Sequence, residues 1–163
     1  MSKVAIITLP FIPLCLRIVL LLWFRSMSRQ ILPEDQHDRE AYRVHILAFV
    51  GFAFTALCAL AIVDEKLSAG LKWAIYYLVV SFFVYAFALN WVAYKGRRWE
   101  DQLTTAFIEI GTLSLFLAVV AVLRVTQPSL MAVGVIGIVG WGIDHIYRFC
   151  LDWAYLSEVE SGG

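Results

Sequence analysis

The stretch LTTAFIEIGTLSLFLAVVAVL, residues 103–123, decides the fold of this chain. It is about 20 residues long and almost wholly apolar, the length a helix needs to cross ~30 Å of hydrocarbon. One ionisable residue, Glu109, interrupts it. A charge at the centre of a membrane helix costs at least ~2.5 kcal/mol on insertion scales, so Glu109 marks a functional site by default.

Four further apolar runs flank this one, at residues 4–24, 44–63, 73–94 and 129–149. Hydrophobic residues make up 61% of the chain and charged residues 16%, with a mean hydropathy of +0.78. So few charges cannot coat a soluble domain this apolar. The fold class is therefore all-α: a polytopic transmembrane helical bundle of four or five spans, a single domain over residues 1–163, expected to assemble as a homo-oligomer. The open point is the first run. Pro10 and Pro13 weaken its first half as a straight helix. It either spans, re-enters, or lies in the interface as an amphipathic helix. Trp23-Phe24-Arg25 stands where a signal peptide would carry small residues for cleavage, so the segment is read as retained.

The basic residues set the orientation. Arg25, Arg29, Arg39 and Arg43 lie in the connection 25–43, and Lys95, Arg97 and Arg98 in the connection 95–101. The opposite face carries only Lys66, Lys72 and Arg124. The richer side, with the C-terminal tail, is expected to be cytoplasmic, and the membrane to be a bacterial inner membrane. Within 25–43, Pro33, Glu34 and Asp35 form a favoured first helical turn. Asp35 then pairs with Arg39 at i, i+4. The helix is predicted to continue through Ala41 and Tyr42 into the second span, as a cytoplasmic stem ~15 Å long. Most tryptophans (Trp23, Trp73, Trp91, Trp99, Trp153) fall near segment ends, as amphipathic rings do at the headgroup level.

Threaded this way, the polar groups inside the spans share one depth. Arg17, His45, Asn90, Glu109, Asp144, His145 and Arg148 all fall in the cytoplasmic half. Asp144, Arg148 and Asp152 stand at i, i+4, i+8 and share a helix face. Glu109 can reach His145 or Arg148 if their helices touch, and Arg17 can reach Glu109 or Asp144. Two pictures fit: a satisfied network clasping helices together, or a wetted vestibule tapering to an apolar outer gate. Snorkelling alone accounts for Arg148 and Asp152. His145 beside Asp144 makes a pH-sensitive pair conceivable.

In the last span Gly134, Gly137 and Gly140 recur at i, i+3, i+6. Small residues let helices approach closely in lipid, either inside one subunit or between subunits. Cys15, Cys58 and Cys150 show no CxxC spacing, so neither a disulfide framework nor a zinc site is expected. No H-E-x-x-H, G-x-S-x-G or P-loop occurs, and no cofactor is implied.

These features order the functions. A homo-oligomeric ion channel or pore subunit comes first, with the polar layer as vestibule and the apolar half as a dewetting gate. In size and layout it is similar to small bacterial membrane proteins such as pore-forming stress or anti-phage effectors and sensors. A non-conducting anchor or sensor comes second, docking a soluble cytoplasmic protein through Arg25, Arg29, Asp35, Arg39, Arg43, Lys95, Arg97 and Arg98. The basic members of that set also suit anionic lipid or nucleic acid. An intramembrane enzyme or proton-coupled carrier using Glu109, Asp144 and His145 comes last, for want of a catalytic motif.

Overall fold

The computed structural model describes residues 3–23, 36–61, 69–92 and 98–161. They form α1 (Lys3–Thr8), a 3₁₀ turn (Leu9–Phe11), α2 (Ile12–Trp23), α3 (Gln36–Ala61), α4 (Ala69–Val92), α5 (Arg98–Thr126), a second 3₁₀ turn (Pro128–Leu130) and α6 (Met131–Ser161). Five helical segments are long and apolar enough to cross a membrane: Val4–Trp23, Arg43–Leu60, Leu71–Val92, Glu100–Thr126 and Pro128–Leu151. These are the five apolar runs of the sequence. This is a polytopic membrane protein. The Pro33–Asp35 turn, and Arg25, Arg29, Lys95 and Arg97, lie outside the described residues.

Two helices run further than the apolar pattern alone predicts. α3 begins at Gln36 and continues without a break to Ala61, through the second apolar run. α6 continues beyond residue 149 to Ser161. α5 opens with Glu100 and Asp101 and closes with Arg124, each placed against the opposing end of the helix dipole. Between α5 and α6 only Gln127 is non-helical, at φ −143°, ψ 74°, outside the α region that a following proline disfavours.

The first segment runs the length of the bundle. Pro10 offers no N–H to the Ile6 carbonyl, and the 3₁₀ turn around it moves the next donor on by one residue, freeing the Ile7 carbonyl as well. Tyr77 and Tyr76, from the start of α4, donate their hydroxyls to Ile6 O and Ile7 O, each at 3.1 Å. In hydrocarbon such carbonyls must find a partner within the protein. At the other end of the segment Trp23 packs against Trp153, near the end of α6, with ring centroids 5.8 Å apart. The segment is thus long and apolar enough to cross a membrane despite its two prolines, and it packs along the bundle from α4 to the end of α6.

The core lies between α4 and α5, which run antiparallel. Along α4, Ala74, Leu78, Ser81, Tyr85 and Ala88 are buried at alternating four- and three-residue steps, with Tyr77 buried beside them, so one seam faces the partner helices. They meet Gly111, Thr112, Leu115 and Ala118 of α5. Small side chains let the backbones approach, the main route to helix association in lipid. Gly111 shows how closely: a Cβ there would stand 2.7 Å from the Tyr85 ring. Ser81 Oγ donates to Gly111 O at 3.0 Å across the same contact. Phe49 of α3 stacks on the other side of Tyr85, centroids 5.3 Å apart and planes 6° from parallel. α3 thus packs on α4, α4 on α5, and α5 on both α2 and α6.

On α6, Gly134 and Gly137 face α5. A Cβ on Gly134 would fall 2.8 Å from Val120 and one on Gly137 3.4 Å from Phe116, so both serve packing within the subunit. Gly140 faces open space.

Candidate functional site

Three helices converge at the end of the bundle where α2, α4 and α6 finish and α5 begins. Each brings one polar stripe. On α2 the buried face is Pro13, Arg17 and Leu20, at i, i+4, i+7. On α5, Gln102, Thr105, Glu109 and Thr112 succeed one another at three- and four-residue steps and so share a face. On α6, Trp141, His145 and Arg148 do the same.

The stripes meet on Glu109. Arg17 places a two-pronged guanidinium on its carboxylate, Nη2 at 2.7 Å from Oε1 and Nε at 3.4 Å from Oε2. Bidentate pairing of this kind is the strongest form an Arg–carboxylate contact takes. Arg17 Nη1 donates to Gln102 Oε1 at 2.7 Å. From the opposite side His145 Nδ1 approaches Glu109 Oε1 at 3.1 Å. An ionised carboxylate only accepts, so Nδ1 carries the proton in that bond. The cluster is buried: relative exposure is 2% for Arg17, 7% for Gln102, 9% for Glu109 and 6% for His145.

Two features show that the cluster is not merely closed on itself. His145 lies flat against Trp141, centroids 5.1 Å apart and planes 8° from parallel. Its second nitrogen, Nε2, is buried with no hydrogen-bond partner among the described residues. A buried orphan of this kind is uncommon in a folded protein and calls for an explanation. Beside the cluster lies a cavity of about 450 Å³, walled by Arg17, Gln102, Glu109, Trp141 and His145 and flanked by Asp101, Asp144 and Arg148. Asp144 and Arg148 pair at 2.9 Å with more than half of each side chain exposed, as an i, i+4 bridge at the margin. Behind Glu109, Tyr85 OH and Thr112 Oγ1 are 2.8 Å apart, and Thr112 Oγ1 donates to Ile108 O at 2.9 Å. The polar stripe of α5 is thereby tied to α4 as well.

Of the polar residues that share a depth in the sequence, Arg17, Glu109 and His145 come into contact. Asp144 and Arg148 border the same cavity. His45 and Asn90 do not join them: both lie on exposed faces, His45 beside Phe49 on α3 and Asn90 on α4. Gln102 and Trp141 are members that charge counting passes over, because neither is ionisable. Their signal was the helical spacing to Glu109 and His145. Arg43 is exposed where the second span begins, while Arg39 and Arg98 stand in the first turns of α3 and α5. Among the described residues no three His, Cys, Asp or Glu side chains gather where a metal ion could be held. Comparison with known proteins finds no matching family model, no matching curated protein and no matching solved structure.

Proposed function

We infer that the protein is a membrane conduit, a small channel or carrier working as a homo-oligomer, whose permeant enters from the basic, cytoplasmic end. The observation that carries this reading is the charged cavity of about 450 Å³ between α2, α5 and α6. A bundle built only to sit in lipid gains by filling that space with apolar side chains, since polar groups at such depth are costly. The opposite half of the bundle, packed with Leu, Ala and Val, suits a gate that opens by wetting. The test is ion flux and single-channel recording from the purified protein in liposomes, with Glu109→Gln alongside. Conductance that falls in the variant while assembly is unchanged supports the conduit. A monomer in native membranes with no flux at any voltage or pH overturns it.

A second reading has its own support. Arg17 ties α2 to α5 through three hydrogen bonds and could serve only as a clasp, in an anchor that docks a soluble partner. The anchor keeps its partner when Arg17 and Glu109 are both replaced by Leu; the conduit loses permeation.

A further inference from the structure

The cavity between α2, α5 and α6 is bordered on one side by a pair of charges that its own subunit leaves uncovered. Asp144 and Arg148 form their 2.9 Å bridge on α6 with more than half of each side chain exposed. Asp144 stands ~7 Å inside the edge of the apolar run 129–149, too deep for so short a side chain to snorkel. The pair also has spare bonding capacity. Arg148 donates through Nε alone, and its two terminal nitrogens make no hydrogen bond among the described residues. Asp144 accepts only at Oδ2, which leaves Oδ1 open in the same sense. Arg17, by contrast, commits all three nitrogens to Glu109 and Gln102. Hydrocarbon satisfies neither open group.

A second copy of the chain satisfies both. A helix carrying an acid and, four residues on, a base complements itself when two copies lie parallel about a two-fold axis. Arg148 already reaches the depth of Asp144 on its own helix, so it reaches the same depth on a parallel neighbour. Asp144 then accepts from both guanidinium groups, within the capacity of one carboxylate. The surrounding face allows the approach. Val133, Gly140, Asp144 and Leu151 follow at steps of seven, four and seven residues, so they share one exposed face of α6. A Cβ on Gly140 would meet nothing within 4 Å, so its small size serves no contact inside the subunit. In lipid, small residues are where two helices come closest. The span of α3 is as little buried as that of α6. Its face, however, carries no charge between Leu47 and Leu60, so acyl chains cover it without cost.

We propose that two copies pair in parallel through this face of α6, about a two-fold axis along the membrane normal. Each Arg148 donates to the Asp144 of the other copy, and the backbones cross at Gly140. The proposal rests on the conduit reading: it names the interface of that homo-oligomer and makes the second copy a wall of the cavity that Asp144 and Arg148 border.

The experiment counts copies of the full chain in liposomes by single-molecule photobleaching, over a range of protein densities. The unsubstituted chain is expected in pairs. Asp144→Arg gives each copy two bases here and Arg148→Asp two acids, so each variant repels itself and is expected as single copies. Mixed under two labels, the two variants are expected to pair with each other, because their charges then complement. Gly140→Leu is expected to weaken pairing by about tenfold. In a background lacking Cys15, Cys58 and Cys150, oxidation is expected to join copies at Val133→Cys and at Leu151→Cys. It is expected to spare Val139→Cys and Ile146→Cys, exposed positions about a third of a turn round the helix. Cross-linking keeps every charge in place, so it decides should a charge-reversed chain fail to insert. Single copies of the unsubstituted chain at every density overturn the proposal. So does pairing unchanged by Asp144→Arg and Arg148→Asp, the outcome if lipid headgroups or water satisfy the bridge. Cross-links that favour Val139→Cys or Ile146→Cys overturn it too. Flux in the same liposomes separates interface from conduit. Flux from copies that cross-link through Phe52→Cys on α3, and not through α6, removes the interface and keeps the conduit; pairing through α6 without flux does the reverse.

Discussion

Arg17 and Glu109 are individually expensive and jointly tolerable. Removing one partner of a buried pair leaves an uncompensated charge, at ~3–5 kcal/mol, whereas replacing both with apolar groups is often close to neutral. Arg17→Leu or Glu109→Leu alone is therefore expected to destabilise the protein severely, and the double variant to recover most of the loss. Unfolding midpoints in detergent for the four proteins of this cycle provide the check; additive losses would show that the pair carries no coupling. This pair was largely legible in the sequence. Depth along a helix can be counted residue by residue, and counting put Arg17, Glu109 and His145 at one level. Depth says nothing about azimuth, which is why His45 and Asn90 share that level yet face outward. Gln102 escaped for a different reason. An uncharged amide near the membrane surface is cheap, so it raises no alarm until its seven-residue spacing from Glu109 is noticed.

Helices are held here less by apolar burial than by fit, since lipid competes for every Leu and Val. The alternation Ala74, Leu78, Ser81, Tyr85, Ala88 is the trace of that fit, but α4 is apolar on every side, so the sequence alone does not single out this face. Equally hidden from the sequence is the answer to the prolines. Pro10 correctly signals a broken hydrogen-bond ladder, but the repair comes from Tyr76 and Tyr77, about 70 residues away in the chain. Tyr77→Phe is expected to cost ~0.6–1.7 kcal/mol, the range of hydrogen bonds between membrane helices. In a Pro10→Ala background the restored N–H takes the Ile6 carbonyl directly, and the same substitution should cost much less. Chemical unfolding of both pairs measures the difference. An equal cost in the two backgrounds would mean that the tyrosine hydroxyl is not replacing a helix bond.

For the molecule as a whole, the arrangement fixes which ends lie together, and the basic connections supply the proposed sidedness. Ser129, in the turn before α6, and Ser157, near the end of α6, stand at opposite ends of one long helix. In a background lacking Cys15, Cys58 and Cys150, Ser157→Cys is expected to react with an impermeant maleimide only from the cytoplasmic face, and Ser129→Cys only from the other. Labelling of both from one side would refute a spanning α6. The repair of the first span has a further meaning for biogenesis. The segment Val4–Trp23 precedes its neighbours in the chain, yet two of its carbonyls wait for α4 and its guanidinium waits for α5. Until those later spans emerge, its open polar groups must be sheltered by the insertion machinery or by headgroups at the bilayer edge. Val4–Trp23 is thus expected to settle in lipid only when α4 and α5, later in the chain, arrive to complete it.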